Sequence, residues 1–161
     1  VIHRDIKPQN IFIKGKMCLL GDFGLMTRDT IDQVHDRGIL SESKRPAVPW
    51  YYRTPDLVEF EKNGTRITPA SDVFQLGLVA TQLFTGRNPC VPAEKLLDPI
   101  KLEPIGEIPI IKQGKGVRML LNRMLEMNPE KRPRAEELLD PWREVFWEAA
   151  NKAIQMNGKA F

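Results

Sequence analysis

A helix that is apolar on every face has to be enclosed, and residues 71–85 spell such a helix. Val73, Phe74, Leu76, Leu78, Val79, Ala80, Leu83 and Phe84 occupy nearly every angular position around it. That pattern implies burial all round rather than one amphipathic face. Thr68 or Ser71 can cap its start, and Gly86 with Pro89 stops it near Thr85. At 161 residues the chain is one domain by length, large enough to bury a real core.

Other elements must cover that helix. Pro55 opens a short helix to about Phe60, and Asn63-Gly64 marks a turn. Val117, Leu120, Leu121, Met124 and Leu125 recur at helical spacing, and Asn128-Pro129 ends that run. A further helix starts near Arg134 and runs past Trp142 despite Pro141; Trp142, Phe146 and Trp147 read as core contacts. Residues 89–112 are Pro-rich, with a short helix expected near 93–97. Upstream, Ile11-Phe12-Ile13 and Met17-Cys18-Leu19-Leu20 read as two strands around the Lys14-Gly15-Lys16 turn. Residues 25–49 are polar, without apolar periodicity, and read as a long exposed loop.

Composition narrows the function classes. The 42% hydrophobic and 28% charged content is that of an ordinary soluble globular protein. A net charge of +3 without a dense Lys/Arg run does not argue for nucleic acid. The best apolar stretch, Leu76 to Ala80, is far too short to span a membrane, and no signal peptide is visible. Cys18 and Cys90 make no metal-like spacing and read as reduced, buried thiols of a cytoplasmic protein.

The chemistry lies near the start. His3-Arg4-Asp5-Ile6-Lys7-Pro8-Gln9-Asn10 places a carboxylate, an ammonium and an amide within six residues, and Asp22-Phe23-Gly24 follows twelve residues past Asn10. A carboxylate can accept a proton, an ammonium can meet a phosphate, and an amide oxygen can hold a hard metal ion. Six residue types at set positions match by chance on the order of once in a million chains of this size. Asp29, Asp32 and Asp36 read as solvated loop charges.

Together these motifs resemble the catalytic loop and metal-binding DFG of eukaryotic-type (Hanks-type) protein serine/threonine kinases. Tyr52-Arg53-Thr54-Pro55-Asp56 resembles the family's Tyr-x-Ala-Pro-Glu segment. Ser71 to Gly77 resembles the start of its buried central helix, and Asn128 to Pro133 its C-terminal signature. Phe74-Gln75, where many relatives have Trp-Ser, is similar to bacterial members. The resemblance implies an α+β, mainly α fold: a kinase-like C-terminal lobe over residues 1–150 with a short β-hairpin, and a frayed tail over 151–161.

It further implies transfer of the ATP γ-phosphate to serine or threonine hydroxyls of protein substrates. Asp5 would take the hydroxyl proton, and Lys7 would meet the transferring phosphoryl. Asn10 and Asp22 would hold Mg²⁺, Phe23 would pack to fix Asp22, and Gly24 would permit the turn. Asp72 would hold the catalytic-loop backbone, and Arg132 would pair with Asp56. Lys7 two residues after Asp5 matches the serine/threonine rather than the tyrosine type. Arg4 beside Asp5 implies control by loop phosphorylation, with Thr27, Thr30, Ser41 and Ser43 as candidates.

The sequence also departs from the family. The implied N-terminal, ATP-gripping lobe does not precede residue 1 in these 161 residues. That lobe is a required partner, and the isolated chain is expected to turn over weakly or not at all. The hairpin is one residue short at Lys14-Gly15-Lys16, and the stretch from Asp22 to Asp56 exceeds the family's usual length by about ten residues, as an inserted regulatory loop would. Pro49 stands where a Thr bonds the catalytic Asp and Lys, and proline supplies neither hydroxyl nor N–H. Asp56 replaces Glu, so its pair with Arg132 must shift or loosen. These departures favour the alternative of an impaired, pseudokinase-like scaffold. The intact Asp5, Lys7, Asn10 and Asp22 favour the enzyme, and the signatures near Asp72 and Arg132 fit a small-molecule kinase less well.

Overall fold

The computed structural model describes residues 1–27, 50–106, 108 and 114–157. Pro49, Asp29, Asp32, Asp36, Thr30, Ser41, Ser43 and most of the loop expected over 25–49 lie outside the described residues.

The chain opens with a two-stranded antiparallel ribbon, β1 (Ile11–Lys14) and β2 (Met17–Leu20), in register from Ile11↔Leu20 to Lys14↔Met17. The two-residue connection Gly15-Lys16 reverses the chain because Gly15 takes φ 61°, open to a residue without Cβ. Cys18, expected to be buried, is exposed on β2, since all four residues of that strand face out. Cys90 is buried as expected. Residues 25–27 are not exposed loop throughout. Phe23–Leu25 forms a 3₁₀ turn, and Thr27 exchanges both backbone hydrogen bonds with Ile2. Thr27 is therefore buried, which removes it from the exposed phosphorylation candidates.

Among the described residues four α-helices follow: α1 (Pro55–Asn63), α2 (Ala70–Thr85), α3 (Gly114–Met124) and α4 (Ala135–Asn157). Thr54 caps α1 by accepting from Leu57 N–H, and Pro55 occupies the first turn, where its missing N–H costs nothing. Gly64 and Gly86, both left-handed, end α1 and α2 by donating to Phe60 O and Gln82 O. Ser71 is not a cap. It lies inside α2, buried, and shares a 2.8 Å hydrogen bond with Thr54, while Thr68 supplies the first-turn acceptor. Residues 93–97 form bends and turns, not the short helix expected there. The last helix crosses position 150 without a break and reaches Asn157, so helical backbone replaces the frayed tail expected from 151.

The main core gathers Ile2, Ile6, Leu57, Phe60, Phe74 and Leu78, joining the N-terminal loop to α1 and α2. Burying each such side chain contributes roughly 1.5–3 kcal/mol. A second cluster, Val73, Leu120, Met124 and Leu138, ties α2 to α3 and α4. Gly77 permits the α2–α3 approach: a Cβ there would lie 3.0 Å from Met124 Cβ and from Leu125 Cδ2.

Burial of α2 is not complete. Leu76 and Leu83, on one stripe seven residues apart, are exposed, Leu83 by 74%. The loop, α1, α3 and α4 cover the other faces, Leu76 borders a groove shared with Leu138, Leu139 and Trp142 of α4, and Leu83 stands open. Trp142 stacks on Phe84 at 5.7 Å, as a core contact should. Phe146 and Trp147 do not: both are more than 60% exposed. No helix among the described residues is long and apolar enough to cross a membrane.

Candidate functional site

The first ten residues are held in place by α2. Both oxygens of Asp72 accept backbone N–H groups, Oδ2 from His3 at 2.8 Å and Oδ1 from Arg4 at 2.9 Å. Burial outweighs these two donors and pushes the Asp72 carboxyl above the usual aspartate range. The grip matters because Arg4 sits at φ 67°, a left-handed conformation that a residue with a Cβ adopts only under constraint. Arg4 is buried and donates its Nε–H to Leu25 O, which ties the Asp5 loop to the residues just after Gly24.

Asp5 is 3% exposed. Its Oδ2 accepts from Lys7 Nζ at 2.7 Å and from Asn10 Nδ2 at 2.9 Å. Its Oδ1 is buried, with no donor among the described residues. The Pro8–Asn10 3₁₀ turn brings Asn10 back over Asp5, and Asn10 Nδ2 also donates to Asp5 O at 2.9 Å. Both amide hydrogens of Asn10 are thereby spent on Asp5, which leaves its Oδ1 as the free end.

Asp22 follows the ribbon: Gly21 N–H donates to Asn10 O at 2.9 Å, one step past the Ile11↔Leu20 pair, so the backbone just before Asp22 is tied to that of Asn10. Asp22, not Gly24, takes the left-handed conformation here, at φ 60°. The turn expected of Gly24 is thus made by its neighbour. Gly24 instead allows Asp22 to fold back, because a Cβ would meet Asp22 Oδ1 at 3.3 Å. Phe23 packs on the His3 ring with centroids 5.3 Å apart, while His3 Nε2 meets Gly21 O at 3.2 Å. Phe23 thus rests on His3, with over half of its ring exposed.

The donor set suits a hard cation. One exposed carboxylate and one neutral amide oxygen match Mg²⁺, which keeps much of its water and phosphate coordination. Among the described residues no cluster of three His, Cys, Asp or Glu side chains offers a softer or tighter cage. Lys7 adds a compact positive charge beside Asp5, with its side chain 15% exposed.

Farther off, Arg132 Nη1 meets Asp56 Oδ1 at 2.8 Å with both side chains buried. The loosening expected of Asp for Glu takes a specific form: only one carboxylate oxygen is used, and Oδ2 is buried without a donor. Arg132 makes up contacts with Ala70 O, Glu126 O and Met127 O, and over the Phe74 ring.

The spacing of the motifs brings Asp5, Lys7 and Asn10 into direct contact, and the ribbon returns the chain so that Gly21, the residue before Asp22, bonds Asn10 O. Sequence reasoning missed Gln75, which is buried against the Asp5 loop; its departure from the usual residue was the available signal.

Comparison with known proteins accords with this arrangement. Over 142 residues the chain is 30% identical to the Wee1-like protein kinase of Arabidopsis thaliana, covering 87% of this chain and 25% of that protein. It is 29% identical to the eIF-2-alpha kinase GCN2 of Arabidopsis thaliana, covering 86% of this chain and 12% of that protein. It is 30% identical to the probable serine/threonine-protein kinase PkwA of Thermomonospora curvata, over 86% of this chain and 17% of that protein. The chain thus spans a quarter or less of these curated relatives. Residues 1–142 match the profile of the protein kinase domain, and the chain belongs to that family.

Proposed function

We propose that the protein carrying this chain transfers the γ-phosphoryl group of ATP to serine or threonine hydroxyls of protein substrates in the cytoplasm. Residues 1–150 would act as the C-terminal lobe of its kinase domain. The observation that carries this reading is the Asp5 carboxylate: Oδ2 is pinned by Lys7 and Asn10, and Oδ1 has no donor among the described residues.

Asp5 would orient the hydroxyl oxygen and accept its proton. Lys7 would place its ammonium against the transferring phosphoryl, whose transition state carries spread negative charge. Asn10 Oδ1 and the Asp22 carboxylate would hold Mg²⁺. When bound, Mg-ATP supplies the phosphoryl group and the metal's neutralising charge. Serine/threonine preference rests on Lys7 and is supported by relatives named serine/threonine-protein kinases.

The test uses the full-length protein, radiolabelled ATP, Mg²⁺ and phosphoamino-acid analysis of a labelled protein substrate. Asp5→Asn should lower turnover by orders of magnitude, and Asp22→Asn should abolish metal-dependent transfer. Unchanged kinetics in either variant would sink the roles assigned here. A second reading, a non-catalytic scaffold, is favoured by Pro49. Nucleotide-dependent partner binding without any transfer by the unaltered protein would decide for it.

A further inference from the structure

Gln75 is fully buried on α2, three residues after Asp72. Its side-chain amide uses both hydrogens and its oxygen. Oε1 accepts from Ile6 N–H at 2.8 Å, and Nε2 donates to Arg4 O at 3.0 Å and to Tyr52 O at 2.9 Å. Only this amide orientation satisfies all three partners. Flipped, it would set a donor against a donor and an oxygen against two carbonyls. With Asp72 it fixes four backbone groups on either side of Asp5: the N–H groups of His3, Arg4 and Ile6, and the carbonyl of Arg4.

The third bond has another destination. Tyr52 ends the Trp50–Tyr52 turn, whose Trp50 and Tyr51 are exposed aromatics, and its hydroxyl is anchored on Gln82 of the same helix at 2.6 Å. One amide therefore touches both the loop that carries Asp5 and the segment that presents those aromatics. Its hydrogen bonds among the described residues go to neither Asn10 nor Asp22.

We propose that Gln75 is a positioning residue that sets the backbone around Asp5 and locks it to the Trp50–Tyr52 segment. The role rests on the proposed phosphoryl transfer only for its consequence in turnover. The geometric coupling itself can be read without any activity.

Two variants test it in the full-length protein. Gln75→Met keeps length and apolar volume but removes all three bonds. Gln75→Glu keeps the acceptor for Ile6 N–H and turns an oxygen toward two carbonyls until protonation restores one donor. By hydrogen exchange, both should speed exchange at the Arg4–Lys7 amides while interior α2 amides keep the parent's rates. In turnover, Gln75→Met should lower kcat on the order of tenfold to a hundredfold, the range expected for a misplaced base, with KM for ATP within about twofold. The ratio of Gln75→Glu to parent kcat should rise as pH falls through the carboxyl range.

A residue that merely fills space would leave that ratio flat. Unchanged exchange at Arg4–Lys7 in both variants overturns the proposal, as does an active parent whose variants keep its kcat. If Gln75→Met does not fold, Gln75→Glu carries both readouts. A parent that transfers no phosphoryl group refutes the reading of the site instead, and the exchange rates still decide the role of Gln75.

Discussion

Cutting the Asp56–Arg132 pair from one side should be the most damaging single change outside the Asp5 loop. Arg132 has no exposed side-chain surface and Asp56 has 3%, so solvent screens neither partner. Removing one member of a buried pair typically costs 3–5 kcal/mol, because the other charge stays buried without its counter-charge. In Asp56→Ala the guanidinium keeps three carbonyls and the Phe74 face, which argues for the lower end, about 3 kcal/mol. For a domain of this size that is a fall in Tm of roughly 6–12 °C.

Arg132→Met should cost a similar amount, since it strips the last donor from a carboxylate whose Oδ2 already has none. The double variant buries no charge at either position and should fall well short of the sum, with a coupling of about 3 kcal/mol. Thermal and urea unfolding of all four proteins measures the cycle. Additivity within about 0.5 kcal/mol, or a cost below about 1 kcal/mol for Asp56→Ala, refutes the reasoning. Strong weakening of the coupling by added salt would also count against it, since a buried pair is poorly screened.

Asp56→Glu should bring the second carboxylate oxygen toward the Arg132 fork and raise stability by about 1 kcal/mol; a lower Tm than the parent's contradicts this. Gly77→Ala gains about 1 kcal/mol of helix propensity but forces a methyl within 3.0 Å of Met124 Cβ, so a net loss of about 1 kcal/mol is expected. A raised urea midpoint would show that α3 yields instead. Burial holds the Asp72 carboxyl above the ordinary aspartate value when folded, so its contribution is greatest below that ordinary value and is lost as pH rises through the folded one. The Tm of the parent minus that of Asp72→Asn should therefore shrink as pH rises across that window, and a carbon-13 titration placing Asp72 at or below 3.8 would exclude the effect. Mn²⁺, a paramagnetic stand-in for Mg²⁺, should broaden the NMR signals of Asn10 and Asp22 before those of α4; uniform broadening would mean no site.

Much of the site was legible because its parts are close in sequence. Asp5, Lys7 and Asn10 lie within one turn and a short extended stretch, so spacing alone brings them together, and the expected hairpin returns the chain to Gly21, which bonds Asn10 O. The helices were legible from apolar periodicity and from Gly64 and Gly86 as stops. What failed depended on neighbours that a pattern does not name. Leu76 and Leu83 look like core because periodicity records hydrophobicity and not which faces are covered. Phe146 and Trp147 share that error, and Cys18 follows from a ribbon that packs little of itself. Asp22 rather than Gly24 makes the left-handed turn because a short carboxylate can tolerate that conformation when a glycine follows closely enough for it to bond back. Gln75 could not be assigned from the sequence, since its three partners come from two segments over twenty residues away.

The anchoring of the first six residues by α2 has a kinetic side. Its hydrogen bonds span 68 to 71 positions of chain. Closing a loop of that length costs about 4 kcal/mol of chain entropy, incurred once by whichever bond forms first. The remaining bonds then form between groups already brought together. The Asp5 loop therefore cannot acquire its shape during early, local folding and has no partly built form of its own. It arrives with the docking of α2 and is lost with it, so the residues expected to do chemistry report the last cooperative step of folding rather than the first.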